Sequence, residues 1–469
     1  MKFKLITYNL FIFSSLFLIS FSRLEEGNIY VPMTSNFTLE HYKNKVYNKN
    51  YYTIPLNIGN PEEEYELQID TSTSTSWIPS SRCNNCIMAR RLYDPEDSRT
   101  SSPTDKYIKI EDEDGDVEGY QTSDDIKIGT YKLKQFPFIQ VTKVADNFMD
   151  HYQGKLGLGF RNYFTKDEKF NFIEQLYNER LIKKKIFTIS TINDKKGMLF
   201  VGDIPGKEYN SFCNLTNTDK LDDVYKESWV CEISHVGIFD REKGMFDKIK
   251  MYEELKNNKL VSFDSAYDFI AVPISEKETI ENILSKANLQ CKSVKKSNKN
   301  LSNDLRHRIR DEEVSISCRT NKEELINKKM ALSFVLQDFS YSLPLENLFV
   351  ESKKEEWMDM LVKYIDDESA IWTFGFPFFN QFLMIFNMED KHVGMKKLKK
   401  TALPIVDVYG KYTIEEEKTS TVLKVFGYIT LLLVILAIVF FVYHTIKKNN
   451  INNENPRINL LKNEKNNHA

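Results

Sequence analysis

Two short stretches carry the side chains on which hydrolytic chemistry can be built. Asp70-Thr71-Ser72 follows the apolar stretch Glu66-Leu67-Gln68-Ile69, and Asp264-Ser265-Ala266 follows Leu260-Val261-Ser262-Phe263. Each places an acid, then a hydroxyl residue, then a small residue at the end of an apolar run. A second apolar run comes after each, Trp77-Ile78-Pro79 and Phe269-Ile270-Ala271-Val272-Pro273. The two acids lie 194 positions apart, which gives each half of the chain one carboxylate. Two carboxylates brought together cannot both ionise cheaply, so they share a proton, and one acts as base on water while the other acts as acid. Such a pair hydrolyses a peptide bond with no metal, cofactor or covalent intermediate. The hydroxyls of Thr71 and Ser265 are placed to hold the two loops together, and the N–H groups of Ser72 and Ala266 to donate to the carboxylates. One Asp-Thr-Ser is ordinary in turns and caps; the repeat after an apolar run gives the signal its weight.

The segments that must position these acids read as β. Residues 52–58, 65–69, 107–110, 125–128, 186–191 and 198–202 are short apolar or alternating runs bounded by polar turns. Helical periodicity is confined to 172–181 and 276–287, and no repeat of solenoid length is present. An all-β fold with minor helices follows. The polar segment 292–313, rich in Lys, Arg, Asn and Ser between Cys291 and Cys318, reads as a solvated surface loop.

With these residues in view, the chain resembles the pepsin-like aspartic protease family over nearly all of 50–400. Tyr51-Tyr52-Thr53-Ile54-Pro55-Leu56-Asn57-Ile58-Gly59-Asn60-Pro61 looks like its opening strand and turn, and Asp70 to Ser80, with Trp77, like its first active-site loop. Gly154-Lys155-Leu156-Gly157-Leu158-Gly159 and Trp372-Thr373-Phe374-Gly375 fall where the family has two segments that cross the active-site loops. Phe386-Asn387-Met388-Glu389-Asp390-Lys391-His392-Val393-Gly394 resembles the closing hairpin. The resemblance implies a bilobal fold with an N-terminal lobe over 51–205, a C-terminal lobe over 206–407 and a short pro-like segment over 23–50. It implies Asp70 and Asp264 as the catalytic dyad, Thr71, Ser72, Ser265, Ala266 and Trp77 as support for the loops, and a flap hairpin within 110–120 that includes Asp112 and Gly115. The Cys83–Cys86 and Cys291–Cys318 pairings are likewise implied by the resemblance, which leaves Cys213 and Cys231 for each other. Read alone, Cys83-x-x-Cys86 is also compatible with redox or zinc chemistry, although no second Cys or His pair follows at metal spacing.

The chain departs from the family pattern near the reacting centre. Ser72 and Ala266 stand where Gly is usual, Tyr267 where a small hydroxyl residue is expected, Asp112 where the flap carries Tyr, and Lys155 where an apolar residue is usual. Two functions are therefore carried forward. One is an aspartic endopeptidase; the other is a pseudoprotease of the same fold that binds peptide or a protein partner.

The ends of the chain address it to the secretory pathway. Lys2 and Lys4 precede an apolar run over 10–19, with Ser20 and Ser22 before Arg23, which reads as a signal peptide over 1–22. Residues 425–446 contain no Asp, Glu, Lys or Arg, and at about 1.5 Å per residue they reach across a hydrocarbon core of roughly 30 Å. Glu415, Glu416 and Glu417 precede this C-terminal transmembrane helix and Lys447 and Lys448 follow it, which places the tail 447–469 in the cytosol and makes the protein type I. Residues 408–424 read as a stem. The Lys- and Asn-rich composition together with the anchor looks similar to apicomplexan plasmepsin-like members. Sequons at Asn36, Asn214 and Asn300 fit a glycosylated lumenal surface. With 64 Lys and Arg against 67 Asp and Glu, the net charge of -3 excludes a protein dominated by nucleic-acid binding. The expected partners are a peptide or protein substrate and the lipid bilayer; the lobes are expected to be monomeric, with no cofactor and no metal.

Overall fold

A computed structural model of the protein describes residues 28–398 and 406–407, except 43–44, 84, 87–90, 111–115, 145–153, 164, 166, 194–195, 206–208, 242–251, 258, 296–312, 353, 355 and 368. The signal-like segment, the stem, the apolar run 425–446 and the tail lie outside the described residues, as do Asp112, Gly115 and most of the polar loop after Cys291. Among the described residues no helix is long and apolar enough to cross a membrane.

The described strands form a 13-stranded and a 12-stranded sheet. Strand Glu63–Asp70 shows how sequence alternation becomes position. Its first half buries Tyr65 and Leu67 and exposes Glu64 and Glu66; from Leu67 onward every side chain is buried. A strand that starts with one wet face and ends with none delivers its last residue, Asp70, into the interior. Its antiparallel partner is Lys45–Ile58, which starts earlier than the apolar run at 52–58 suggests. Strand Ile29–Tyr42, from the segment read as pro-like, pairs with Lys45–Ile58 on one side and Lys196–Val201 on the other. Strand Ile29–Tyr42 is thus part of that sheet.

The sheets do not divide at residue 205. Strands Phe382–Asn387 and His392–Lys397 form a hairpin whose first strand pairs with Ile186–Asn193, while the second pairs with Phe212–Asn214. Three strands from beyond residue 205 therefore extend the N-terminal sheet. Aromatic packing fixes this junction: Trp229 lies 5.7 Å from Phe187 and 5.1 Å from Phe386 between ring centroids, and Phe187 stacks on Phe386 at 4.6 Å. The Cys213–Cys231 disulfide links Phe212–Asn214 of the first sheet to Trp229–Asp240 of the second. Cys291–Cys318 joins directly opposed residues of neighbouring strands at the base of the polar loop, and Cys83–Cys86 closes a local turn.

The expected helices form, slightly shorter than read. Phe172–Asn178 starts at Asn171, whose side chain accepts from Glu174 N–H at 3.1 Å, and Arg180 with φ 58° turns the chain out. Lys277–Lys286 follows a 3-10 turn at Ile274–Glu276 and ends before Asn288 at φ 53°. Lys322–Lys328 escapes sequence reading because only Leu325 of it is buried, so it has no apolar stripe to show.

The closing hairpin carries a titratable contact. His392 is buried against Phe212 and hydrogen-bonded to the Tyr209 hydroxyl. Burial holds its imidazole below the ordinary 6.5, with Asp390 opposing. The unfolded chain therefore binds this proton first, so the contribution is intact above pH 6.5 and is lost as pH falls through the lowered folded value. Thermal scans across that acidic window should show a midpoint that falls with pH, and His392→Gln should flatten the slope; an unchanged slope would contradict this origin.

Candidate active site

Each acidic loop is set by the same arrangement of strands. Glu63–Asp70 runs parallel to Lys155–Gly157, with Asp70 opposite Gly157 and Leu158 N–H donating to Asp70 C=O at 2.7 Å. Leu260–Phe263 runs parallel to Trp372–Phe374, with Phe263 opposite Phe374 and Asp264 N–H donating to Phe374 C=O at 3.1 Å. Two glycines allow the loops to be crossed this closely. A Cβ on Gly157 would meet the Ser74 carbonyl carbon at 2.4 Å, and one on Gly375 would meet the backbone oxygens of Tyr267 and Phe269, each at 2.4 Å.

The two loops then clasp one another. Thr71 N–H donates to Ser265 Oγ at 3.2 Å and Ser265 N–H donates to Thr71 Oγ1 at 3.0 Å. Each hydroxyl in turn donates a hydrogen bond to the strand opposite, Thr71 to Phe263 C=O and Ser265 to Ile69 C=O, both at 2.8 Å. All four groups are buried. The acids adjoining this clasp, Asp70 and Asp264, are 1% and 5% exposed.

The replaced glycines keep the bonds their positions require. Ser72 N–H donates to Asp70 Oδ1 and Ala266 N–H to Asp264 Oδ1, each at 2.8 Å. Neither residue has a positive φ, so the added Cβ costs no backbone strain. Ser72 adds a second bond, from its Oγ to the same Asp70 oxygen at 2.6 Å. Tyr267 lies half-buried with its ring 4.8 Å from that of Phe269, and its carbonyl accepts from Phe376 N–H at 2.7 Å.

Three residues enter the site that its sequence motifs did not point out as parts of it. Lys155 is fully buried, and its Nζ lies 3.2 Å from Asp70 Oδ2. In sequence it was only an irregular residue in a crossing segment; nothing there gave the direction of its side chain. Glu227, also fully buried, accepts from Thr73 Oγ1 and Ser74 N–H at 2.8 Å and from Tyr163 N–H at 2.6 Å. It reaches from the start of the second sheet to hold the loop beyond Asp70, and Ser228 Oγ donates to Ser72 C=O at 3.1 Å. A Glu in an ordinary turn gives no signal of this. Tyr225 is the third: burial pushes its phenol up to about 12, with Asp367, Asp222 and Asp264 adding to that rise, and Ile371 N–H reaches its hydroxyl at 3.5 Å.

Trp77 is buried beneath the hairpin formed by Ser102–Ile110 and Val117–Ile128, in a cluster with Ile108, Ile110, Val117 and Ile139. The flap expected from sequence is this hairpin, in which Ile110 faces Val117; the tip with Asp112 and Gly115 lies outside the described residues. At its flank Tyr107 and Tyr120 present exposed rings 5.5 Å apart, and Tyr107 bonds Glu118.

Comparison with known proteins matches residues 51–398 to the family described as eukaryotic aspartyl protease. Pepsin II-1 of Oryctolagus cuniculus is 23% identical over 354 residues, 72% of this chain and 79% of its own length. Renin of Echis ocellatus is 20% identical over 354 residues, covering 72% and 78%. Procardosin-A of Cynara cardunculus is 30% identical over 137 residues, 28% of this chain and 26% of its own. The matched span is thus most of the animal relatives and about a quarter of the plant one.

The clasp yields a stability test. Thr71→Val removes the donor to Phe263 C=O and the acceptor for Ser265 N–H at nearly constant volume, and each buried group left without its partner costs about 1–3 kcal/mol. The thermal midpoint should drop by several degrees, and Thr71→Ser, which keeps the hydroxyl, should recover most of it. Equal midpoints for the Val and Ser variants would show that the hydroxyl carries no such load.

Proposed function

Because this chain belongs to the eukaryotic aspartyl protease family, we propose that it is an aspartic endopeptidase in which Asp70 and Asp264 activate water between the two halves of the chain. The observation that carries this reading is the reciprocal Thr71–Ser265 clasp, which brings the two acid-bearing loops together. An ionised carboxylate offers about four lone-pair sites. Ser72 uses two at Asp70 Oδ1 and Lys155 one at Oδ2, which leaves one for a water. In the reaction Asp70 takes a proton from that water, the oxygen bonds to the scissile carbonyl carbon, and the carbonyl oxygen takes the proton of Asp264. The diol collapses as Asp264 recovers a proton from a hydroxyl and Asp70 passes its own to the departing nitrogen. A carboxylic acid and an amine result, and both acids regain their starting states.

A second reading, a peptide-binding pseudoprotease, draws on the Lys155–Asp70 ion pair, which engages the oxygen that water would otherwise approach. One assay separates the two. Residues 23–407, offered a peptide library from acidic to neutral pH, should cleave it, and Asp70→Asn or Asp264→Asn should each reduce kcat/KM by at least about a thousandfold, in line with loss of a member of a catalytic unit. Binding without cleavage at any pH would favour the pseudoprotease.

Three disulfides and the family agree with a secreted or lumenal protein. We further infer a single-pass type I anchor at 425–446, in the manner of membrane-bound plasmepsin-like members, supported by the charge-free run and its basic flank. In cells, the full chain should resist alkaline carbonate extraction and a chain ending at 407 should be released as soluble protein; carbonate-soluble full chain would overturn the anchor.

A further inference from the structure

Lys155 is an ammonium placed against Asp70 by the protein's own crossing strand. The Lys155–Gly157 strand lies between Glu63–Asp70 and Trp77–Pro79, and Lys155 is 0% exposed with its Nζ 3.2 Å from Asp70 Oδ2. A buried ammonium is tolerated where a carboxylate compensates it. Two carboxylates sharing one proton carry a net charge of minus one. Adding Lys155 makes the group neutral while that proton is present, and returns it to minus one once the proton leaves. Losing the last proton is therefore easier than in a dyad without the lysine, where it would build a charge of minus two.

We propose that Lys155 is a positioning residue that sets the charge balance of the dyad: paired with Asp70, it assigns Asp70 the charged, water-activating role and Asp264 the proton, and it moves the working range of the site to lower pH. The proposal rests on the reading of Asp70 and Asp264 as the reacting pair. The other charged and titratable groups around the loops are Glu227, held by Thr73, Ser74 and Tyr163; Tyr225, beside Asp264 and neutral through the working range; Asp268, buried at the far end of the second loop; and Lys363, whose Nζ lies 3.7 Å from the centroid of the Phe269 ring. Comparing a variant that loses the ammonium with one that keeps the charge beside Asp70 isolates its effect.

The test follows the carboxyl of Asp264 by carbon-13 NMR of the lobes labelled at aspartate, the signal being identified by its loss in Asp264→Asn. An opposite charge within about 4–6 Å moves a carboxyl by roughly 1–3 pH units. With the ammonium 3.2 Å from Asp70 Oδ2 and the proton shared by the pair, loss of that proton, followed at Asp264, should move up by about that much in Lys155→Met and stay near the wild-type value in Lys155→Arg, which keeps the charge. If the Met variant does not fold, Lys155→Gln, which keeps a hydrogen-bond donor without the charge, makes the same comparison. Equal midpoints with and without the charge would overturn the proposal. The pH profile of kcat/KM, measured alongside, should move upward in Lys155→Met by the same amount. A shifted NMR midpoint with no cleavage by any variant would sink the protease reading and leave the role of Lys155 standing. Cleavage with unshifted midpoints would do the reverse.

Discussion

Thr71 and Ser265 each donate to and accept from the other across 194 residues of chain, and the site exists because of that exchange. Two buried acidic loops would otherwise repel one another and leave four polar groups without partners, a cost of about 1–3 kcal/mol for each. The clasp converts those groups into the joint between the halves. Crossing strands supply the rest: Gly157 and Gly375 allow the approach, and Glu227 and Ser228 reach from the second sheet to hold the loop after Asp70.

This constraint explains why the departures from the family pattern do not dismantle the site. What the third position of each triplet must supply is a backbone N–H aimed at the carboxylate. Ser72 and Ala266 supply it from backbone conformations open to any residue, and Ser72 gains a hydroxyl bond as well. Tyr267 turns its ring toward Phe269. The change with electrostatic consequence is Lys155, whose buried ammonium lies 3.2 Å from Asp70 Oδ2.

Much of the frame was legible in the sequence because it rests on periodicity. The apolar runs ending at Asp70 and Asp264 are strands, and the two amphipathic stretches are helices near their expected limits. Boundaries slipped where a cap or a left-handed residue decided them, as at Arg180 and Asn288. What sequence could not show was direction in space. Lys155 could have pointed to solvent, Glu227 lies in an ordinary turn, and the segment before residue 50 gave no sign that Ile29–Tyr42 would join a sheet. Each of these depends on long-range pairing, which local pattern does not encode.

The central claim is that Asp70 and Asp264 form one reacting pair. Its most direct test is a crystal structure of residues 23–407 with a peptide in which a hydroxyethylene group replaces the scissile bond. The account predicts that the hydroxyl lies between the two carboxylates, within about 2.5–3.0 Å of an oxygen of each, with Lys155 still on Asp70. A peptide bound elsewhere, or a Lys155 ammonium occupying the place of the hydroxyl, would contradict it.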